Sequence, residues 1–131
     1  MNSMFYFCNH LTNIDLSNLN TENVNNMSYM FYNCSSLTKI DLSNFNTEKV
    51  TDMNYMFYDC RAVNSINFIN LKIEKCIKMN SMFANCVSLA DLKIPEKYND
   101  LFSMGFIASN PNILNIEILS DNEKKYKMPL K

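Results

Sequence analysis

Residues 33–57, NCSSLTKIDLSNFNTEKVTDMNYMF, decide the fold because almost every feature of this stretch recurs 26 residues earlier and 26 residues later. An unbroken period of this length is typical of repeat proteins, in which each unit is one supersecondary element stacked on the next. The units begin at Met1, Met27, Met53 and Met79, with a degenerate one near Met104. The clearest recurring positions are four Met-Phe methionines and four cysteines: Met4, Met30, Met56, Met82, Cys8, Cys34, Cys60 and Cys86.

Two hydrophobic periods follow one another inside each unit. In the second unit, the apolar residues Met27, Met30 and Cys34 are three or four positions apart, which is the spacing of one helical face. We therefore predict short helices over residues 26–33, 52–59 and 78–85. The next segment, LTKIDL at residues 37–42, alternates in the manner of a strand. This alternation predicts strands over residues 11–16, 37–42, 63–68, 89–94 and 113–118.

These elements predict an α/β repeat fold, namely a right-handed leucine-rich-repeat solenoid with a parallel sheet on one face and short helices on the other. We expect the repeats to occupy residues 1–103 as about four units, of which the first is incomplete because Met1 aligns with Met27. Residues 104–131 are predicted to be a degenerate C-terminal repeat or cap with a polar tail, since terminal repeats are atypical. The uncovered first turn leads us to expect a piece of a longer repeat protein; the alternative is that this turn is simply exposed to solvent.

The unit resembles the repeat of the BspA-like leucine-rich repeat family, C-x-x-L-x-x-I-D-L-S-N-F-x-T followed by V-x-x-M-x-x-M-F. The likeness extends over residues 1–94 and weakly over residues 104–118. It weakens in the third unit, where Ile69, Lys72 and Ile73 replace Ser, Asn and Thr. The resemblance implies a protein on the surface of bacteria or protists that live on host mucosa, where many members are adhesins or bind host matrix proteins. It implies no catalytic residue.

Composition and charge narrow the classes of function. The chain has 131 residues, a net charge of −1 and one glycine, Gly105. This charge creates no field that attracts nucleic acid or an anionic membrane, and one glycine cannot form a glycine-rich phosphate loop. No apolar run is long enough to insert into a membrane, and the N-terminal residues do not have the pattern of a signal peptide. A cell-surface or secreted location is therefore implied by the resemblance alone.

Five cysteines and ten methionines raise the question of metal binding, since sulfur ligands suit copper(I) and zinc. Four of the cysteines share one inward-facing register position, where a thiol behaves as a small apolar group, and Cys76 aligns with Val24 and Val50. We expect no metal, no cofactor and a ladder of reduced thiols. A disulfide between stacked cysteines such as Cys34 and Cys60 is the alternative, although parallel side chains disfavour its torsion angle.

Catalytic groups are sparse. His10 is the only histidine and aligns with Ser36 and Ser88, so it occupies an ordinary surface position. Because a nucleophile needs an oriented base beside it, we expect no enzyme activity. Asp15 and Asp41 are stacked register partners and a candidate Ca²⁺ site, but Ca²⁺ prefers six to eight oxygen ligands.

The predicted strand face is the candidate partner-binding surface, because the sheet faces of repeat proteins form extended binding surfaces. The alternative is that this polar face is only solvated. The candidate contact residues on it are Asn13, Asp15, Ser17, Lys39, Asp41, Ser43, Ser65, Asn67, Asp91 and Lys93. A second candidate surface is tyrosine-rich, although packing between units is the favoured interpretation; its residues are Tyr6, Tyr29, Tyr32, Tyr55 and Tyr58.

The repeat therefore favours a non-enzymatic protein-binding module that acts through its strand face, and the resemblance implies that its partner is a host extracellular-matrix or mucosal protein. The alternative is a structural spacer, or a fragment of a larger repeat protein that associates end to end through its open first unit. Neither nucleic-acid binding nor membrane insertion is expected.

Overall fold

The computed structural model describes residues 1–98 in full and residues 115–119 and 125–128 by their backbone. The elements are strand β1 (Ser65–Asn67), strand β2 (Asp91–Pro95), a 3-10 helix (Glu96–Tyr98), strand β3 (Asn115–Leu119) and strand β4 (Lys125–Met128). The strands form a four-stranded sheet in the order β1-β2-β3-β4. Strands β1, β2 and β3 are parallel, and β4 is antiparallel to β3.

The 26-residue period sets the register between units. Ile66 of β1 pairs with Leu92 of β2, and isolated parallel bridges join Asn26 to Asp52 and Asp52 to Lys78. Each of these partners lies one period further along the chain. Equivalent residues of successive units are therefore direct neighbours, so the described chain is a stack of turn-rich units.

The predicted fold class, an α/β right-handed leucine-rich-repeat solenoid, is wrong. No α-helix occurs among the described residues, and the segments predicted as helices, residues 26–33, 52–59 and 78–85, consist mainly of turns. The predicted sheet is also shorter, because residues 11–16 and 37–42 form no strand. Within residues 1–98 the parallel sheet is limited to β1 and β2.

The turn segments do not form helices because every second amide donates its hydrogen bond to a carbonyl of the next unit. The amides of Tyr29, Phe31 and Asn33 donate to carbonyls of the next unit, at N···O distances of 3.0, 2.9 and 2.7 Å. Between them, the amides of Met30 and Tyr32 donate to carbonyls three residues back, at 3.3 and 3.1 Å. An α-helix instead requires successive amides to bond four residues back within one segment.

Residues with left-handed backbone conformation bound each turn segment. Tyr29 and Asn33 have φ angles of 58° and 55°. Within residues 1–98, the residues with positive φ repeat at the same two positions of each unit: Ser3, Phe7, Tyr29, Asn33, Tyr55, Asp59, Ser81 and Asn85. A side chain in this conformation costs roughly 1–2 kcal/mol. The hydrogen bonds and packing between units must offset that cost.

The core consists of columns of equivalent residues. The rings of Phe5, Phe31, Phe57 and Phe83 form one column, with successive centroids 5.4, 5.6 and 5.8 Å apart. Methionines, cysteines and aliphatic residues from each unit complete a continuous buried cluster. Such contact between successive units is what stabilises a repeat protein, because one unit cannot bury its apolar face alone.

Buried threonines connect the return loops of neighbouring units. The Thr47 hydroxyl donates to the Lys72 carbonyl at 2.9 Å and accepts the Lys72 amide at 2.8 Å. Thr21 makes the equivalent pair of bonds with Asn46, at 3.1 and 2.8 Å. Both backbone groups of the following unit are thereby satisfied away from water.

The predicted division at residue 103 and the cap over residues 104–131 lie outside the described residues, apart from the backbones of β3 and β4. That division stays a prediction. Strand β3 (Asn115–Leu119) overlaps the stretch predicted as the fifth strand, residues 113–118. In the part of the chain that the structure describes, no helix has the length and apolar character needed to cross a bilayer.

Candidate functional site

The strand face is the surface formed by the ten residues that sequence analysis singled out. Lys93 is half-buried. The other nine are exposed, namely Asn13, Asp15, Ser17, Lys39, Asp41, Ser43, Ser65, Asn67 and Asp91. The apolar residues between them, such as Leu16 and Leu42, point into the core. Side-chain alternation therefore holds along this face even where no strand forms.

Asp15 and Asp41 are held in the same local turn. The Ser17 amide donates to Asp15 Oδ1 at 2.9 Å, and the Ser43 amide donates to Asp41 Oδ1 at 2.9 Å. A side chain that accepts from the amide two residues later forms an Asx turn, which ends the extended segment. In each aspartate, Oδ1 therefore accepts the hydrogen bond of the turn, and Oδ2 takes no part in that bond.

Hydrogen bonds from the same serines lower the pKa of both carboxyl groups. The Ser17 hydroxyl and then the Ser17 amide lower the pKa of Asp15 below its usual value. The Ser43 amide and then the Ser43 hydroxyl lower the pKa of Asp41 in the same way. Hydrogen bonds to the charged form stabilise it. An ionised carboxylate is purely a hydrogen-bond acceptor, so this part of the face presents acceptors.

Two shallow depressions meet at Asp41. The first, of about 210 Å³, is lined by Asn13, Ile14, Asp15, Leu16, Ser17, Asp41 and Asn44. The second, of about 230 Å³, is lined by Lys39, Ile40, Asp41, Asn64 and Ser65. The structure thus brings six of the ten candidate residues to two adjoining depressions. Ser43, Asn67, Asp91 and Lys93 line neither of them.

The ion pairs between described residues involve none of the residues that line these two depressions. Arg61 pairs with Asp59 at 2.9 Å and Lys78 with Asp52 at 3.7 Å. The remaining pairs are Lys72 with Glu48 and Lys97 with Glu74. Within residues 1–98, no cation forms an ion pair with Asp15 or Asp41.

The tyrosines pack mainly against one another. Tyr32 stacks on Tyr6 at 5.0 Å and on Tyr58 at 4.8 Å, and Tyr29 stacks on Tyr55 at 5.1 Å between ring centroids. Stacking between units uses the ring faces that a planar ligand would otherwise contact. Tyr6 is 47% exposed. The other four are half-buried, so this surface presents chiefly ring edges and hydroxyls.

The cysteine ladder is a structural feature. The thiols of Cys34, Cys60 and Cys86 donate to carbonyls of the preceding unit at 3.1, 3.1 and 2.9 Å. No disulfide joins the described cysteines. Burial raises the pKa of Cys34 to about 11 and that of Cys86 to about 12. Because the thiolate is the reactive form, these thiols are poor nucleophiles at neutral pH.

No metal site is present among the described residues. Across residues 1–98 and the backbone-described strands, no group of three or more His, Cys, Asp or Glu side chains could hold an ion. Asp15 and Asp41 line one depression together, but the remaining polar lining is Asn13, Ser17 and Asn44. His10 is exposed.

Sequence reasoning missed the role of the serines. The spacing Asp-x-Ser recurs at Asp15 with Ser17 and at Asp41 with Ser43. This spacing is a signal for an Asx turn. The Asp-x-Ser spacing indicates that one oxygen of each aspartate accepts the bond of the turn. Sequence reasoning also missed the left-handed backbone conformation, for which Tyr29 and Tyr55 give no sequence signal.

Comparison with known proteins identifies a family whose description names no activity. A sequence profile described as Mycoplasma protein of unknown function, DUF285, matches residues 1–98. No curated protein and no solved structure shows a significant match to the chain. The likeness to BspA-like repeats stays a sequence-based expectation.

Proposed function

We propose that this chain, which belongs to the family described as Mycoplasma protein of unknown function, DUF285, is a non-enzymatic protein-binding module that recognises its partner through the strand face. The family description names neither an activity nor a partner. The proposal therefore depends on the geometry of this face and on the chemistry of its side chains.

The observation that carries the proposal is the pair of adjoining depressions at Asp41. Together they place two carboxylates, the Lys39 ammonium and several amide and hydroxyl groups on one exposed surface. A partner peptide would find acceptors at Asp15 and Asp41 and a donor at Lys39. Charge complementarity of this kind gives specificity and speeds association.

The face is also ordered before any partner binds. Asx turns fix Asp15 and Asp41, and the Asn44 amide group donates to the Ser17 carbonyl at 3.3 Å, which joins the first two units at this surface. Ordering a flexible side chain on binding costs about 0.5–1.5 kcal/mol. A preformed face avoids part of this cost, which supports a recognition role.

The partner class that we propose is a host extracellular-matrix or mucosal protein, met at the cell surface. This part of the proposal is supported by the resemblance of the 26-residue unit to BspA-like repeats, whose proteins are often adhesins. The same resemblance supports the surface location.

The test measures binding of the purified chain to a panel of immobilised matrix and mucosal proteins. The test variant is Asp15→Asn/Asp41→Asn, which removes two charges and keeps the turns. Asparagine supports this turn, because Asn67 Oδ1 accepts the Ile69 amide at 2.9 Å in the third unit. The matched control is Glu22→Gln/Glu48→Gln, which makes the same charge change at exposed return-loop positions.

We expect saturable binding that the Asp15→Asn/Asp41→Asn variant weakens about tenfold or more and the control leaves unchanged. Equal binding by all three proteins would move the site away from the strand face. No binding to any member of the panel would contradict the proposed partner class and favour a spacer.

Self-association is a second candidate function because the first unit has an open edge. Its residues Met4, Tyr6 and Phe7 are 48%, 47% and 49% exposed. No amide within the described residues donates to the carbonyls of Asn2, Met4 and Tyr6, whereas the equivalent carbonyls of the next three units accept. Sedimentation velocity at increasing concentration tests this: growing species support it, and a monomer at the highest concentration contradicts it.

A further inference from the structure

We propose that Tyr32 and Tyr58 form an oxidative cross-linking site, at which one-electron oxidation joins their two phenol rings through a carbon–carbon bond. The oxidant is of the peroxidase class, with hydrogen peroxide as the final electron acceptor. The product is a dityrosine link between the second and third units. The reaction involves no residue of the strand face, so it is independent of the proposed function.

The two rings are stacked in the folded chain. Their centroids are 4.8 Å apart and their planes are inclined by 5°. Among the tyrosine pairs of the described residues, this pair has the shortest separation and the smallest angle. Two groups that are held in contact react as if each were present at very high concentration. The stack therefore favours coupling between these two rings.

The backbone fixes this arrangement. The Asn33 amide donates to the Tyr58 carbonyl at 2.7 Å, which holds the second turn segment against the third. Within each segment the same bond recurs: the Tyr32 amide donates to the Tyr29 carbonyl at 3.1 Å, and the Tyr58 amide donates to the Tyr55 carbonyl at 3.2 Å. Because the two backbones have the same form, the two side chains leave them in the same direction.

The phenols are accessible, whereas the neighbouring thiols are not. Tyr32 and Tyr58 are half-buried, so part of each ring faces solvent. The Tyr58 hydroxyl accepts a hydrogen bond from the side-chain amide of Asn85 at 3.3 Å, at an exposed position. Cys34 and Cys60, which end the same two turn segments, are buried. An oxidant in solution therefore meets these phenols before it meets these thiols.

The reaction balances with one molecule of peroxide. Each phenol loses one electron and its hydroxyl proton, which leaves a phenoxyl radical. The two radicals couple through a ring carbon next to each hydroxyl, and the hydrogen on each of these carbons then moves to the oxygen. Hydrogen peroxide accepts the two electrons and two protons and becomes two molecules of water. Both partners must be tyrosine, because phenylalanine has no hydroxyl proton to lose.

The link would change how the protein unfolds. Tyr32 and Tyr58 are one 26-residue period apart, so their cross-link closes a loop of that length. A closed loop restricts the unfolded chain and leaves the folded stack in place. The oxidised protein should therefore unfold at a higher urea concentration than the untreated protein.

The test treats the purified chain with a haem peroxidase and hydrogen peroxide and then digests it with trypsin. Cleavage after Lys39, Lys49 and Arg61 places Tyr32 in residues 1–39 and Tyr58 in residues 50–61. The cross-linked product has the summed mass of these two peptides less two hydrogen atoms. Mass spectrometry measures its amount at several protein concentrations.

Two variants and a matched control assign the link. Tyr58→Phe and Tyr32→Phe each keep a ring in the stack and remove one phenol. The control, Tyr55→Phe, removes a phenol from the same tryptic peptide as Tyr58 and leaves the proposed pair intact. Urea denaturation before oxidation checks that all three variants fold.

We expect each of the two test variants to lower the amount of linked peptide at least about tenfold, because the remaining phenols are less well placed. The control should leave it unchanged. The wild-type yield should not depend on protein concentration, since both rings belong to one chain.

Three results would overturn the proposal. The first is the absence of the linked peptide from the oxidised wild type. The second is an equal amount of it in Tyr58→Phe and Tyr55→Phe. The third is a link found only in covalent dimers, with a yield that rises with protein concentration. Each of these would leave the proposed function standing.

Discussion

The ring of Phe57 lies parallel to the ring of Phe31, with centroids 5.6 Å apart and planes inclined by 5°. Phe83 stacks on the opposite face of Phe57 at 5.8 Å. Phe57 is thus enclosed between the equivalent residues of the neighbouring units and has no exposed surface. The packing of rings in such a column couples the stability of neighbouring units.

Truncating the middle of this column should destabilise the protein strongly. We expect Phe57→Ala to lower the free energy of unfolding by about 3–5 kcal/mol, because it leaves a cavity between two rings. Urea denaturation followed by circular dichroism measures the change. Phe5→Ala is the matched control, because Phe5 lies at the end of the column and is only half-buried. A loss for Phe5→Ala as large as that for Phe57→Ala would contradict the column interpretation.

Glycine at position 81 should distinguish a turn from a helix. Ser81 has a φ angle of 51°, at which a side chain is unfavourable and glycine is not. We expect Ser81→Gly to stabilise the protein by up to about 1 kcal/mol, whereas glycine inside a helix would destabilise it by about that amount. Asn80→Gly, next to it at a residue without positive φ, should be destabilising. Destabilisation by Ser81→Gly in thermal unfolding would contradict the turn.

Acid should weaken the contact between the third-unit return loop and the 3-10 helix. The Lys97 ammonium, 2.7 Å from Glu74 Oε1, is the main cause that lowers the pKa of Glu74 to about 2, with its own backbone and Tyr98 adding to the effect. The folded-state pKa lies below the unfolded one, so this stabilisation is present above about pH 4.5 and disappears as the pH falls toward 2.

Glu74→Gln should therefore reduce the loss of stability between pH 6 and pH 3. The difference should stay below about 1 kcal/mol, because the pair is exposed to solvent. Urea denaturation at both pH values measures it, with Glu22→Gln as the control for removal of an exposed glutamate. The same loss of stability in wild type and Glu74→Gln would rule out this contribution.

The thiols should react in two classes. Burial raises the pKa of Cys34 and Cys76 to about 11, and that of Cys60 well above its usual value. Cys8 is only half-buried. We expect iodoacetamide at pH 8 to modify Cys8 first in the native protein, as read by peptide mass spectrometry.

The other four thiols should react at rates limited by opening of the stack, because the thiolate form is scarce and enclosed. All five should react quickly in denaturant. A Cys8→Ser variant should lack the fast phase. Fast modification of Cys60 in the native state would show that the ladder is more open than the structure indicates.

The candidate site was partly predictable from the sequence. Alternation along residues 37–42 correctly indicated that Lys39 and Asp41 face outward and that Ile40 and Leu42 are buried. It did not indicate which exposed residues are adjacent to a depression. The 26-residue period predicted that Asp15 and Asp41 are stacked partners, but the depression that they line together depends on how the units pack.

The sequence by itself determined the 26-residue register and the columns of buried residues, because identical spacing of Met, Phe and Cys makes every unit the partner of its neighbour. Only the tertiary structure decided between helix and turn. Apolar residues three and four apart suit both, since both bring such positions to one side. The choice was made by amides such as that of Phe31, which bonds to the Met56 carbonyl of the next unit at 2.9 Å. A bond between units 25 residues apart in the chain has no counterpart in local propensity, so the local pattern predicted helices that the stack replaces with turns.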